Sequence, residues 1–399
     1  MSCRLQKVAL AAGLLLATSI FANIKVGVLH SLSGTMMESE RPVVEAVHLA
    51  VEEINNNGGV LGQKIEIVTA DGGSKPEIFA KEARRLISKE KVNAIFGCWT
   101  SASRKAVKPV VEEYDNLLFY PVQYEGLEMS KNIFYTGMVA NQQIFPAVKW
   151  ASKNFGHKFF LVGSDYIFPR TANLILRDLA GFHNAVVMAE RYLPLGSSDV
   201  KAVVDEIAKN RPDVVFNTIN GDTNKYFFME LIRRGLADIP VVSFSVGENE
   251  MVAFGGSKLS KHYAVWNYFQ SIDSAENRKF VKAFRDKFGQ DRVLSDPMKA
   301  AYSSVYMWAR AVNELGDSNP KFVNRLLMKQ SIKSPAGIAA IDYNTRHVWQ
   351  DAKIGKVLPN GQFEIVYKSK KLIRPNPYPI YKSRQEWDKI IKTLERGGN

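Results

Sequence analysis

Gly97-Cys98-Trp99-Thr100-Ser101-Ala102-Ser103 follows directly on the apolar run Ala94-Ile95-Phe96, and the same succession occurs twice more in the chain. Leu117-Leu118-Phe119 leads into Tyr120-Pro121-Val122-Gln123-Tyr124-Glu125-Gly126, and Phe159-Phe160-Leu161-Val162 leads into Gly163-Ser164-Asp165-Tyr166-Ile167-Phe168-Pro169-Arg170. Short apolar runs bounded by turn residues read as buried strands. Hydroxyls, amides and aromatic rings are therefore delivered to the carboxyl ends of strands, where ligands bind in open parallel sheets. The groups on offer suit a small, polar, uncharged molecule. None of them makes an obvious nucleophile–base pair.

Outward from these stretches, strand and helix signals alternate from Ile24 onward. Ile24–Leu29 reads as a strand, and Val43, Val47, Ala50, Val51 and Ile54 form a helical stripe closed by Asn57-Gly58-Gly59. Lys64–Ala70 is the next strand. Ser74, three residues before Glu77, predicts a capping box for a helix to about Ser88, with Pro76 in its first turn. Ala94–Gly97, a helix to Tyr114 and the strand Leu117–Tyr120 complete a run of β-α-β units, which predicts a parallel, doubly wound sheet.

The pattern restarts at the helix Gln142–Asn154 and continues through strands at Lys158–Val162, Ala185–Arg191, Asp213–Asn217 and Pro240–Ser243, with Ser198 capping a helix to Lys209. Helices at Glu276–Phe288, Asp296–Leu315 and Lys321–Lys329 follow, then short strand-like pieces from Gly337 to Tyr367. The expected fold class is α/β: two Rossmann-like lobes with parallel sheets joined by a three-crossover hinge. Lobe 1 is expected over 23–138 and 269–335, and lobe 2 over 139–268 and 336–399. The chain is expected to cross near Gly137–Asn141, Trp266–Ser271 and Ser334–Gly337.

The 399 residues, 46% of them apolar, suffice for two or three domains with large cores. Arg4 and Lys7, the apolar run Val8–Leu16 and the small Ala22 have the layout of a signal peptide over 1–22, with an uncleaved anchor as the rival reading, and predict export of the mature protein. Its removal leaves Cys98 as the sole cysteine, so no intrachain disulfide is expected. The formal charge of +13 falls by two, to +11. Because the basic residues are scattered, the excess reads as a solvated surface and no nucleic-acid partner is expected. No later segment approaches the length of a spanning helix.

Trp99, Thr100 and Ser101 stand where free N–H groups and hydroxyls at a helix start donate to a carbonyl or anion, the other reading being that Ser101 or Ser103 simply caps the helix. Tyr120 and Tyr166 offer aromatic walls with hydroxyls, and Gln123 both donates and accepts, matching an amide-like ligand. Glu248 follows the strand ending near Ser243 and can accept from a ligand N–H; as a first-turn helical residue it is also favoured by the dipole. Asn220-Gly221-Asp222 is a similar, weaker turn signal. There is no G-x-S-x-G, P-loop, G-x-G-x-x-G, H-E-x-x-H or C-x-x-C, and histidines 30, 48, 157, 183, 262 and 347 show no paired ligand spacing. No enzyme, metal or cofactor is expected, and Cys98 reads as a small buried residue without an adjacent base.

The opening Ile24-Lys25-Val26-Gly27-Val28-Leu29-His30-Ser31-Leu32-Ser33-Gly34-Thr35 resembles the type I periplasmic solute-binding proteins, in their urea and short-chain amide branch. So do Trp99–Lys105, Leu118–Glu125, Asn132–Gly137, Asn141-Gln142-Gln143, Gly163–Arg170, Trp266–Ser271 and Ile373–Pro377. The similarity runs in order through nearly the whole chain after the leader. It departs at Val246–Glu250, where the family is richer in alanine and glutamate, and at Met138-Val139-Ala140, where proline is usual. The resemblance implies Trp99, Thr100, Ser101, Tyr120, Val122, Gln123 and Tyr166 around the ligand, with Glu248 contributing. It also implies urea as cargo and an ABC transporter permease as partner. A short-chain amide or branched-chain amino acid carrier, a cytosolic amide sensor of the same fold, and an amidohydrolase using Cys98 are the other readings.

Overall fold

The computed structural model describes residues 24–254, 258–259 and 261–395. The leader expected over 1–22 lies outside them. The chain begins with β1 (Ile24–His30), α1 (Met37–Asn56), β2 (Ile65–Asp71), α2 (Pro76–Ser88), β3 (Ile95–Gly97), α3 (Ser101–Glu113), β4 (Leu118–Tyr120) and β5 (Ile133–Tyr135). These strands form one parallel sheet in the order β2-β1-β3-β4-β5. The order reverses between β1 and β3, which opens a crevice at their carboxyl ends.

After α4 (Ala140–Asn154) the succession repeats: β6 (Lys158–Ser164), α5 (Ile167–Phe182), β7 (Val186–Leu193), α6 (Lys201–Asn210), β8 (Val214–Thr218), α7 (Thr223–Arg233), β9 (Val241–Ser243), α8 (Glu248–Ala253) and β10 (His262–Trp266). Within β6, Phe159 and Leu161 pack into one core while Phe160 and Val162 pack into another. A strand covered on both faces must be apolar at every position, which is why this run shows no alternation. Here the order reverses between β6 and β8.

The chain continues through α9 (Ala275–Phe288), α10 (Asp296–Leu315) and α11 (Pro320–Leu327). Helix α10 packs against α1, β3 and β4, and Val305, Trp308 and Val312 belong to the first lobe's core. The strands β11 (Ser331–Ser334), β12 (Gly337–Ile341) and β13 (Val348–Trp349) form a small antiparallel sheet. Then β14 (Lys353–Val357), antiparallel to β10, and β15 (Phe363–Lys368), antiparallel to β14, extend the second sheet, giving seven strands ordered β15-β14-β10-β9-β8-β6-β7. Helix α12 (Arg384–Glu395) follows, and Trp387 and Ile391 from it enter a core of the second lobe.

Three local expectations are corrected. Ser74 does not cap α2: its φ of 58° turns it away, its hydroxyl donates to the Ser33 carbonyl, and Lys75 takes the cap position. Ser198 does not cap α6, whose N-cap is Val200. The third passage between lobes falls between Trp349 and Lys353, downstream of Ser334–Gly337. Ile341 and Val348 lie in the first lobe's core, and β5 bridges from Tyr135 to His347. Short strands carry no local signal of which lobe they will cover, so sequence placed the passage one hairpin early.

No described helix is long and apolar enough to cross a membrane.

Candidate functional site

The two crevices face each other, and the loops at their strand ends meet. On the first lobe the chain leaves β3 through Cys98, whose φ of 69° lies in the left-handed region. That conformation costs a non-glycine residue on the order of 1–3 kcal/mol and is characteristic of functional turns. It lets Trp99 and Thr100 lead at once into α3. Thr100 is the N-cap, accepting from the Ser103 amide at 3.0 Å, so this hydroxyl serves the helix. The Ser101 and Ala102 amides, at the first turn, have no intrahelical acceptor.

Beneath this turn lies a charged network that the sequence reading did not identify. Arg104, wholly buried, donates from Nε to Glu128 at 2.9 Å, from Nη2 to Glu125 at 3.3 Å and from Nη1 to Ser101 Oγ at 2.9 Å. Ser101 Oγ in turn donates to Glu125 at 2.5 Å. The guanidinium lies 4.9 Å from the Tyr120 ring centre and 4.3 Å from that of Tyr124. Burial opposes the charge on Glu128, but Arg104, Lys105 and Lys108 outweigh it and hold the carboxyl down at about 2. A buried guanidinium requires such partners. The one sequence signal for it was an Arg three residues after Ser101, on the same helical face.

Tyr120 donates to the Trp99 carbonyl at 2.5 Å, and burial pushes its phenol up. Val122 is buried in the first lobe's core, with its backbone closely packed against Gly137, where a Cβ would stand 2.1 Å from the Val122 carbonyl carbon. Gln123 donates from Nε2 to Ser245 Oγ of the second lobe at 2.7 Å, leaving its buried Oε1 without a partner among the described residues. Trp99 likewise crosses the cleft, its indole N–H donating to Asn220 Oδ1 at 3.2 Å. Tyr166, half-buried, caps α5 from the opposite side; burial, then Tyr120 and Glu125, push its phenol well above its ordinary range. Trp99, Ser101, Tyr120, Gln123 and Tyr166 are thus brought together, with Thr100 and Val122 as framework.

Glu248 is not with them. It sits at the second passage between lobes, where Oε1 accepts from the Gln270 amide at 2.7 Å and Oε2 has no partner among the described residues. Burial raises its carboxyl to about 8. The carboxylate of α8 that does cross between lobes is Glu250, which accepts from Ser39 Oγ at 2.8 Å and from the Gly247 amide. Nearby, the Asp222 amide donates to Thr35 Oγ1. These two contacts border a groove of about 780 Å³ at the outer margin of the cleft, lined by Glu38, Arg41, Asp222, Lys225 and Glu250 among others. None of the residues anticipated as ligand contacts lines that groove. The strand-end centre is favoured as the site because its unpaired polar atoms are buried, whereas the groove is open to water.

Among the described residues no group of three or more His, Cys, Asp or Glu side chains could hold a metal ion. Cys98 is buried, and burial raises its thiol, followed by the charge of Glu40.

A family model described as periplasmic binding protein domain matches residues 24–384. A Leu/Ile/Val-binding protein homolog 6 of Brucella suis is 26% identical over 367 residues, 88% of this chain and 91% of that protein. A limonene hydroxylase of Geobacillus stearothermophilus is 36% identical over 123 residues; the match spans 31% of this chain and only 22% of that protein. Among solved structures, a solute-binding protein of an ABC transporter from R. palustris, in complex with 4-hydroxybenzoate, has a TM-score of 0.79 at 22% identity. It covers 88% of this chain and 97% of that one. A branched-chain amino acid transporter substrate binding protein from Streptococcus pneumoniae, in complex with isoleucine, has a TM-score of 0.77 at 21% identity, covering 89% and 100%.

Proposed function

The chain belongs to the periplasmic binding protein domain family, and from that premise we propose that it is an extracytoplasmic carrier that captures urea between its lobes and delivers it to an ABC transporter permease. The leader over 1–22 directs export. The observation that carries the ligand reading is the pair of direct bonds across the cleft, Trp99–Asn220 and Gln123–Ser245. Lobes joined directly, with the large Trp99 side chain and Gln123 already filling the space between them, leave room only for a small molecule.

The charged groups at the centre are already paired with one another. Arg104, the cation nearest the Ser101 turn, is committed to Glu125 and Glu128, so a ligand carboxylate finds no uncommitted guanidinium there. Glu125 is equally committed, one oxygen to Arg104 and the other to Ser101, so a ligand ammonium finds no uncommitted carboxylate. Backbone donors at Ser101 and Ala102 suit a carbonyl oxygen, and Gln123 Oε1 suits an N–H. Failing to satisfy one such buried partner costs about 1–3 kcal/mol, which separates ligands by tenfold or more.

The protein then acts by domain closure and catalyses nothing; closure is shared between the direct cross-cleft bonds and the ligand's own contacts, so loss of the ligand shifts the balance toward opening. The second reading, a short-chain amide or branched-chain amino acid as cargo, draws on the names of the Brucella and Streptococcus relatives. Calorimetry with urea, formamide, acetamide and leucine decides between them. Heat with urea and none with leucine is expected; tight leucine binding without urea binding overturns the assignment. Ammonia release from urea by the purified protein would overturn the carrier role.

A further inference from the structure

His30 lies at the carboxyl end of β1, the strand that borders the crevice on the side opposite β4. Its ring is wholly buried. Nδ1 is 2.8 Å from Glu40 Oε2, which also accepts from the Ser31 amide at 2.9 Å. A carboxylate only accepts, so Nδ1 carries a proton, and when the ring holds that one proton alone Nε2 is an acceptor. That nitrogen has no partner among the described residues. Buried polar atoms are satisfied in the great majority of cases, and each exception calls for an explanation.

Glu40 stands in the first turn of α1, one residue from Ser39, which bonds across the cleft to Glu250; the charge of Glu40 is also felt by the Tyr166 phenol. The imidazole thus sits beside the first turn of α1, at the carboxyl end of the strand that borders the switch point of the sheet. Another buried acceptor without a partner among the described residues, Gln123 Oε1, follows β4. Between them, after β3, come the Ser101 and Ala102 amides. The three sets of groups follow β1, β3 and β4, which are neighbours in the sheet and about 4.8 Å apart, so acceptor, donors and acceptor succeed one another in strand order.

We infer that His30 is a ligand-contacting specificity residue: its Nε2 accepts one N–H of the ligand while Gln123 Oε1 accepts another on the far side of a carbonyl held by the α3 amides. The row selects a molecule with two amino-bearing arms flanking a carbonyl over one with a single arm. Glu40 acts as the positioning residue that fixes the tautomer. The inference rests on the carrier reading above and specifies it.

The test is nitrogen NMR of the wild-type protein labelled in histidine, together with calorimetry of urea and acetamide on the wild type and on His30→Phe. Saturating urea should move the His30 Nε2 resonance toward the hydrogen-bonded range. Wild type should prefer urea over acetamide by tenfold or more, and His30→Phe should bring that ratio close to one. A merely structural role would weaken both ligands alike and keep the ratio. An Nε2 resonance unmoved by bound urea refutes the contact, even if the variant fails to fold. No urea binding by the wild type at all refutes the carrier reading for urea, and this inference with it.

Discussion

Replacing Arg104 by Met tests whether the network under the Ser101 turn is the electrostatic keystone of the first lobe. Arg104 is fully buried between two carboxylates, Glu125 and Glu128, that are themselves buried. Removing one partner of a buried ion pair costs about 3–5 kcal/mol, because the remaining charge is left without compensation. The carboxyl of Glu128 gives an independent figure: held at about 2 against an ordinary 4.5, it contributes about 3 kcal/mol at neutral pH. Lys105 and Lys108, 3.6 and 3.8 Å from Glu128, remain and keep the loss toward the lower end.

The sign with pH separates this cause from lost packing. In the wild type the folded state holds Glu128 depressed, so its contribution is complete above about pH 4.5 and is lost as pH falls toward 2. In the Met variant Glu128 keeps only Lys105 and Lys108 against its burial, so its carboxyl rises from its depressed value and less stability is lost on acidification. The stability gap should therefore be widest near pH 7.5 and narrow toward pH 5. Thermal unfolding followed by circular dichroism is the assay, since urea as denaturant would also be the ligand. A Tm lowered by roughly 6–20 °C at pH 7.5 is expected. A gap under about 1 kcal/mol, or one that is the same at both pH values, would refute the reasoning.

Three further outcomes follow from the site. Ser101→Ala and Tyr120→Phe should each weaken urea binding by about 1–2 kcal/mol in calorimetry, because each hydroxyl orients a neighbour, Glu125 or the Trp99 carbonyl, and retains lone-pair capacity for the ligand; unchanged affinity in both would move the site elsewhere. Glu248→Gln should abolish a decline in stability between about pH 4.5 and 8, worth up to about 5 kcal/mol, since the folded state keeps that carboxyl protonated to about 8 while the unfolded chain does not; parallel melting curves across that window would count against it. Trp99→Phe removes the bond to Asn220 and should shift the ligand-free protein toward a larger radius in X-ray scattering, with urea restoring the compact form; an identical radius would show that this bond does not hold the lobes.

Much of this architecture was legible because a doubly wound sheet writes itself locally. The stripe Val43, Val47, Ala50, Val51 and Ile54 is the buried face of α1, and Asp296–Leu315 is α10 to the residue. The apolar runs before Cys98, Tyr120 and Tyr166 are strands whose carboxyl ends meet. What was not legible depends on partners distant in sequence. Ser74 matches a capping motif, yet its hydroxyl is taken by Ser33, which the local pattern cannot show. Thr100 was assigned to the ligand but caps α3, and Glu248 was assigned to the cleft but lies at a passage between lobes. Both are ordinary ambiguities of a helix start, where ligand and cap use the same atoms. Arg104 and His30 were passed over because their pairing with Glu125, Glu128 and Glu40 exists only once helices and strands are stacked.

The burial of Cys98 makes the protein convenient to turn into a reporter. A chain beginning at residue 23 contains no other cysteine, and burial keeps this thiol protonated and out of reach of a dye. A thiol introduced at the exposed rim position Lys225, by Lys225→Cys, would then be the single point of attachment for a fluorophore. Because that position borders the groove between the lobes, emission from such a label would follow their approach. The same turn that orders the candidate site thus leaves the molecule ready for site-selective labelling, with no native residue to be removed first.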